Sequence, residues 1–133
     1  MHIQFKKESN AKLDTAVDLT TIYISGTDTS LLVNAAVTEI LIPVDIHSST
    51  TTFILQRTNS SSSTLKSDTL QVGYSAQSKV IAKDCGAFTY YQNLKVLHTN
   101  LADSQIKLFN TSLLKDPTIS GTSGYAVNYQ IFY

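Results

Sequence analysis

Apolar residues in this chain recur at every second position, in short runs that stop and restart along its length. A period of two puts alternate side chains on opposite faces of an extended strand, so each run reads as one strand with a core face. Ile3 and Phe5 share a face in "HIQF"; Phe53 and Leu55 do so in "TTFILQR", and Leu70, Val72 and Tyr74 in "TLQVGYS". Ile40, Ile42, Val44 and Ile46 are in phase in "VTEILIPVDI". In "AVDLTTIYIS", strict alternation sets Val17, Leu19 and Tyr23 on one face and Ile22 and Ile24 on the other. "SKVIAK", "AFTYY", "NLKVLHT", "SQIKLFN" and "YAVNYQIFY" complete the series. Gly, Ser, Asn and Asp separate the runs. The pattern predicts an all-β chain: an antiparallel β-sandwich, jelly-roll-like or Ig-like, of about 8–10 short strands. No domain boundary or internal repeat interrupts residues 1–133, so a single domain is expected.

Ser and Thr fill about a quarter of the chain, while charged residues make up only 15%. Thr favours strands and Ser favours turns, which strengthens the β reading. "SLLVNAAVTEI" also fits a helix, with Leu32, Ala36 and Ile40 four apart and Ser30 as a cap, but β-branched residues on both sides favour a strand. Pro43 removes a ladder donor and places its strand at an edge or a bulge. Four serines after Asn59 mark an exposed loop.

The formal net charge is zero, with no basic cluster beyond Lys6-Lys7, so no nucleic-acid partner is expected. A neutral surface does little to oppose self-association. Cys85 is alone, which rules out a disulfide within the chain. "MHIQFKKES" lacks the apolar centre of a signal peptide, so synthesis and folding in a cytoplasm are expected, without membrane insertion.

Candidate chemistry is sparse. His2, His47 and His98 stand apart, and Asp45 with His47 makes the one pair at strand spacing, without a third ligand. Cys85 beside Gly86 reads as a small structural thiol rather than a nucleophile, for which a base would have to come from elsewhere in the fold. The carboxylates are scattered and form no acid–base pair, although a glycosidase pair can come from distant strands. The expectation is therefore no enzyme, no cofactor and no metal. Tyr90 and Tyr91 in "TYYQN" are the candidate ligand contacts, as a platform for sugar stacking.

The last segment carries the strongest alternation. Tyr125, Val127, Tyr129, Ile131 and Tyr133 share one face, which makes them candidate interface residues. An exposed strand of this kind would invite uncontrolled edge pairing, so it must pack in its own sandwich or against a neighbouring subunit. A terminal aromatic strand also resembles the closing strand of outer-membrane barrels, but "ILIPVDI" and "TTIYI" are apolar on both faces, unlike strands with a polar lumen side.

"TTIYISGTDTSLLVNAAVTEILIPVDIHSSTTTFILQR" and "SKVIAKDCGAFTYYQNLKVLHTNLADSQIKLFNTS" together resemble small β-sandwich accessory proteins of tailed-bacteriophage particles. The shared features are an apolar-Tyr strand end, a polar turn, a strand like Val37-Thr38-Glu39-Ile40, and an acidic turn at Asp103 before Ile106 and Leu108. The resemblance spans most of residues 19–112 and implies a non-enzymatic virion protein in a head-decoration, neck or tail position. It further implies a homo-oligomer that binds capsid or tail proteins after synthesis in the host cytoplasm. The alternative expectation is a module that binds a carbohydrate or host receptor.

Overall fold

The computed structural model describes residues 1–28, 30–45, 47–58, 64–82, 86–109, 111 and 127–133. Ten strands appear among them: β1 (His2–Lys7), β2 (Asn10–Asp14), β3 (Val17–Ile24), β4 (Ser30–Val37), β5 (Glu39–Leu41), β6 (Thr50–Thr58), β7 (Leu65–Ala82), β8 (Gly86–Thr99), β9 (Ile106–Leu108) and β10 (Tyr129–Phe132). One sheet runs β2-β1-β10-β9, with β5 also on β1; the other runs β4-β3-β6-β7-β8. The fold is a β-sandwich. Every pairing among the described residues is antiparallel except that of β1 with β10, which is parallel.

The alternating residues fill one core between the sheets. Ile3, Phe5, Phe53, Leu55, Leu70 and Val72 have no exposed surface. Tyr129 and Ile131 of β10 are equally enclosed. The two sheets are joined on one side by the chain itself. Only Thr38 separates β4 from β5, and its carbonyl accepts a 2.8 Å bond from the Phe5 amide. β5 is a short edge strand that stops before Pro43, which has no amide to continue a ladder.

Three details differ from strict alternation. β3 carries an irregularity between Leu19 and Thr21 in its pairing with both neighbours. The extra residue shifts the phase, so Val17 and Leu19 are buried before it and Ile22 and Ile24 after it, while Tyr23 is turned out to 40% exposure. The stretch "SLLVNAAV" is a strand, not a helix. "TLQVGYS" and "SKVIA" form one strand, as do "AFTYY" and "NLKVLHT", so β7 and β8 are long rather than short.

β10 is an interior strand. Ile3 to Lys6 of β1 pair with Tyr129 to Phe132 on one side, and Ile106 to Leu108 of β9 pair on the other. Asn128 extends the seam, accepting from the His2 amide through Oδ1 at 2.8 Å and donating its own amide to the His2 carbonyl at 2.9 Å. The Tyr129 hydroxyl is buried with no hydrogen-bond partner among the described residues. Removing an unsatisfied buried hydroxyl while keeping the ring should raise stability by about 1 kcal/mol. Tyr129→Phe is thus expected to melt at or above the wild-type temperature in a thermal scan, and a fall of several degrees would show that the hydroxyl is bonded.

Candidate interaction site

The longest feature of the structure lies outside the core. β6 pairs β7 from Leu65 to Gly73, and past Gly73 β7 pairs only β8 among the described residues. Ser75–Ala82 and Gly86–Gln92 therefore form a two-stranded arm, roughly 23 Å long at ~3.3 Å per residue. Ala76, Gln77, Ser78 and Thr89 on it are exposed, so neither sheet packs on those side chains. Tyr90 on the arm bonds Gln77 Oε1 across the strands at 2.8 Å.

Side-chain contacts tie the base of the arm to the sandwich. Tyr74 and Tyr91 meet edge to face with centroids 5.4 Å apart. The Tyr74 hydroxyl donates to the Asp45 carbonyl at 2.6 Å and receives from Thr51 Oγ1 at 2.6 Å, while the Asp45 amide donates to Thr51 Oγ1 at 2.9 Å. These three bonds close a ring in which each donor is used. Burial pushes the Tyr74 and Tyr91 phenols up from their ordinary pKa, with the Thr51 bond opposing the shift at Tyr74. Asn93 sits at the foot with φ 57°, beside the register shift between Gly73 and Ser75.

A second surface lies where the sheets part. Among the described residues, β8 ends one sheet and β9 the other. Between them runs a groove of about 620 Å³ with a mixed lining, polar at Lys95, His98 and Asp103 and apolar at Val96, Ile106 and Leu108. Leu97 is 45% exposed and Leu108 37%.

The candidate residues from the sequence fall differently. Tyr129 and Ile131 have no exposed surface in this chain, so core packing satisfies them and they offer nothing to a partner. Tyr133 is partly buried by a contact within the chain, and Val127 is partly buried. Tyr125 and Cys85 lie outside the described residues, as do residues 59–63 of the serine loop. Tyr91 is buried at the arm's base and presents no face for a sugar, whereas Tyr90 is half-buried on the arm. The Asp45 carboxylate accepts the His47 amide at 2.8 Å, forming a local turn instead of half a metal site. His2 Nε2 lies 3.1 Å from Glu39 Oε2, a pairing created by the register of β1 on β5. No group of three His, Cys, Asp or Glu gathers among the described residues.

One polar cluster was not anticipated. Asp68 Oδ2 accepts from Arg57 Nε at 2.7 Å and from the Tyr133 hydroxyl at 2.5 Å, and the Arg57 guanidinium lies 4.3 Å from the Tyr133 ring centroid. It clasps Tyr133, which follows β10, to two strands of the other sheet. Burial opposes the Arg57 charge, but the bond and charge of Asp68 outweigh it and hold the pKa above its ordinary value. Burial also raises the Tyr133 phenol, reinforced by Asp68, and burial alone raises Tyr129. A phenol whose folded pKa exceeds its unfolded value near 10 adds stability that is complete below pH 10 and is lost as pH rises above it. Stability should therefore fall above pH 10, and two tyrosines should ionise only as the protein unfolds. Ultraviolet tyrosinate titration followed alongside circular dichroism checks this; full ionisation before any loss of structure would contradict it.

Residues 19–133 match a protein family described as a family of unknown function, DUF6452. The chain belongs to that family. Within the DUF6452 match lie β3 from Leu19 onward, the arm, the groove and the clasp, while β1 and β2 precede it. No curated protein and no solved structure matches the chain.

Proposed function

We propose that this chain is a non-enzymatic β-sandwich module that works by protein contact, including contact with its own copies, through the β7–β8 arm. The arm carries this reading. An isolated two-stranded ribbon is only marginally stable in water, and its unpaired edges are templates for further strands. Here the ribbon extends from a base fixed by the Tyr74–Tyr91 pair and the Asp45–Thr51–Tyr74 ring. Its exposed residues between Ser75 and Ser78 carry no charge, and the formal net charge of the chain is zero, so like copies meet little repulsion. The virion setting, in a head-decoration, neck or tail position, is a narrower form of the proposal and rests on the sequence resemblance.

Ala76 and Tyr91 face each other in the register, so an Asn-Gly turn can join them and remove the outer arm. The shortened chain is expected to keep its melting temperature. Full-length protein should show concentration-dependent association in sedimentation velocity, and the shortened chain should remain monomeric. A full chain that stays monomeric, or a shortened one that associates equally well, would overturn the proposal.

A further inference from the structure

Near the foot of the arm, β8 twice carries one residue more than the stretch of β7 it pairs with. Gln71 pairs His98 and Val72 pairs Val96, so Leu97 is extra. Gly73 pairs Lys95 and Ser75 pairs Gln92, so Asn93 and Leu94 stand opposite Tyr74 alone. The second irregularity lies where β6 stops pairing β7 and the arm begins. An extra residue bends its strand and increases the local right-handed twist. Strict alternation would put Tyr91 and Leu94 on opposite faces, yet both are buried; the extra residue brings both to the core side.

This elbow is held from several sides. Asn93 has φ 57°, in the left-handed region, which an Asn tolerates because its short polar side chain bonds locally. Its Nδ2 donates to Ser75 Oγ at 2.9 Å, and Ser75 Oγ donates to the Gln92 carbonyl at 3.3 Å. At the same level each strand bonds a third segment. The Tyr74 amide donates to the Ser49 carbonyl at 2.9 Å, and the Leu94 amide donates to the Thr111 carbonyl at 2.9 Å. Leu97, the other extra residue, lies across Gly73, where a Cβ would come within 3.0 Å of its Cδ1. A backbone in a sparsely populated conformation persists where its surroundings over-determine it, and such positions cluster where geometry serves function.

We infer that Asn93 is a positioning residue for the arm. Its left-handed backbone, held beside the bonds to Ser49 and Thr111, sets the direction in which the arm leaves the sandwich, and that direction decides whether the arms of two copies can meet. The second part rests on the arm being the contact surface, as proposed above; the first does not. Leverage makes the direction matter. A turn of about 30° at the foot carries the far end of a ribbon of roughly 23 Å through about 12 Å, more than twice the ~4.8 Å between paired strands.

The test uses the full chain, isotope-labelled and dilute enough to be monomeric. In the wild type, residual dipolar couplings of the arm amides should fit one alignment tensor with those of β3 and β6. Asn93 is exposed, so replacing it removes no core contact. Asn93→Gly keeps the left-handed backbone and should leave couplings and association as in the wild type. Asn93→Val disfavours that backbone. It should reorient the arm couplings and weaken association, read by sedimentation velocity, about tenfold or more. If Asn93→Val does not fold, Asn93→Ala strains the same backbone less and takes its place. Arm couplings that are scaled down in the wild type would mean a swinging arm and overturn the inference. So would unchanged arm couplings in Asn93→Val, reoriented ones in Asn93→Gly, or full association despite reorientation. A wild type that stays monomeric at every concentration overturns the arm reading and the second part with it, while the couplings still decide the first.

Discussion

Deleting residues 128–133 is expected to abolish cooperative folding. β10 occupies the interior of its sheet, so its loss strips β1 of its parallel partner and β9 of its only strand partner among the described residues. Two wholly enclosed side chains, Tyr129 and Ile131, leave the core with it. Truncating single residues of these types to Ala costs about 2–5 kcal/mol each, and a whole domain is stable by only about 5–15 kcal/mol. The deletion also orphans the backbone groups of Ile3 to Lys6 along one edge and detaches the Arg57–Asp68 pair from Tyr133. The truncated chain should show no sigmoidal melt and no near-ultraviolet dichroism. A cooperative transition at the wild-type midpoint would show that the second sheet folds without this strand. Ile131→Ala provides the graded control, with an expected loss of about 2–5 kcal/mol.

The importance of this strand was legible in the sequence, and so was most of the core. Ile3, Phe5, Phe53, Leu55, Leu70, Val72 and Tyr74 alternate in the runs where the structure buries them. What alternation cannot reveal is a change of phase. The irregularity at Leu19/Thr21 has no mark in residue type, and it alone decides that Tyr23 faces water and Ile22 the core. β2 went unread because all five of its side chains are exposed, so it has no apolar stripe to detect. The arm was divided into short strands because "SAQS" has the composition of a turn, whereas its conformation is set by pairing with β8. Interior and surface roles of the final tyrosines were likewise indistinguishable, since both require the same alternation.

The clasp was half legible. Arg57 continues the inward stripe of Phe53 and Leu55, and Asp68 opens the inward stripe of Leu70, Val72 and Tyr74. Two opposite charges in core phase on strands joined by a hairpin predict an ion pair, because an inward charge is tolerated only when partnered. Tyr133 could not be placed with them from sequence, since it arrives from the other sheet 65 residues beyond Asp68.

That geometry sets the second large effect. Arg57→Leu leaves the Asp68 carboxylate, 11% exposed at its side chain, with the Tyr133 hydroxyl but no cation. Asp68→Leu leaves the guanidinium, 19% exposed, against the Tyr133 ring with no anion. Removing one partner of a fully buried pair costs about 3–5 kcal/mol, and the residual solvent at both groups lowers the expectation here to about 2–4 kcal/mol for each single substitution. The double substitution Arg57→Leu/Asp68→Leu removes both charges and extends two apolar stripes, so it should recover most of that loss. Tyr133→Phe keeps the ring under Arg57 and removes one bond to a charged acceptor, with an expected cost of about 1.5–3 kcal/mol. Denaturant unfolding of the two singles and the double should therefore show strong non-additivity, with the double more stable than either single. Additivity within about 0.5 kcal/mol would mean that the two side chains are energetically independent and that β10 is held by its ladder and core contacts alone.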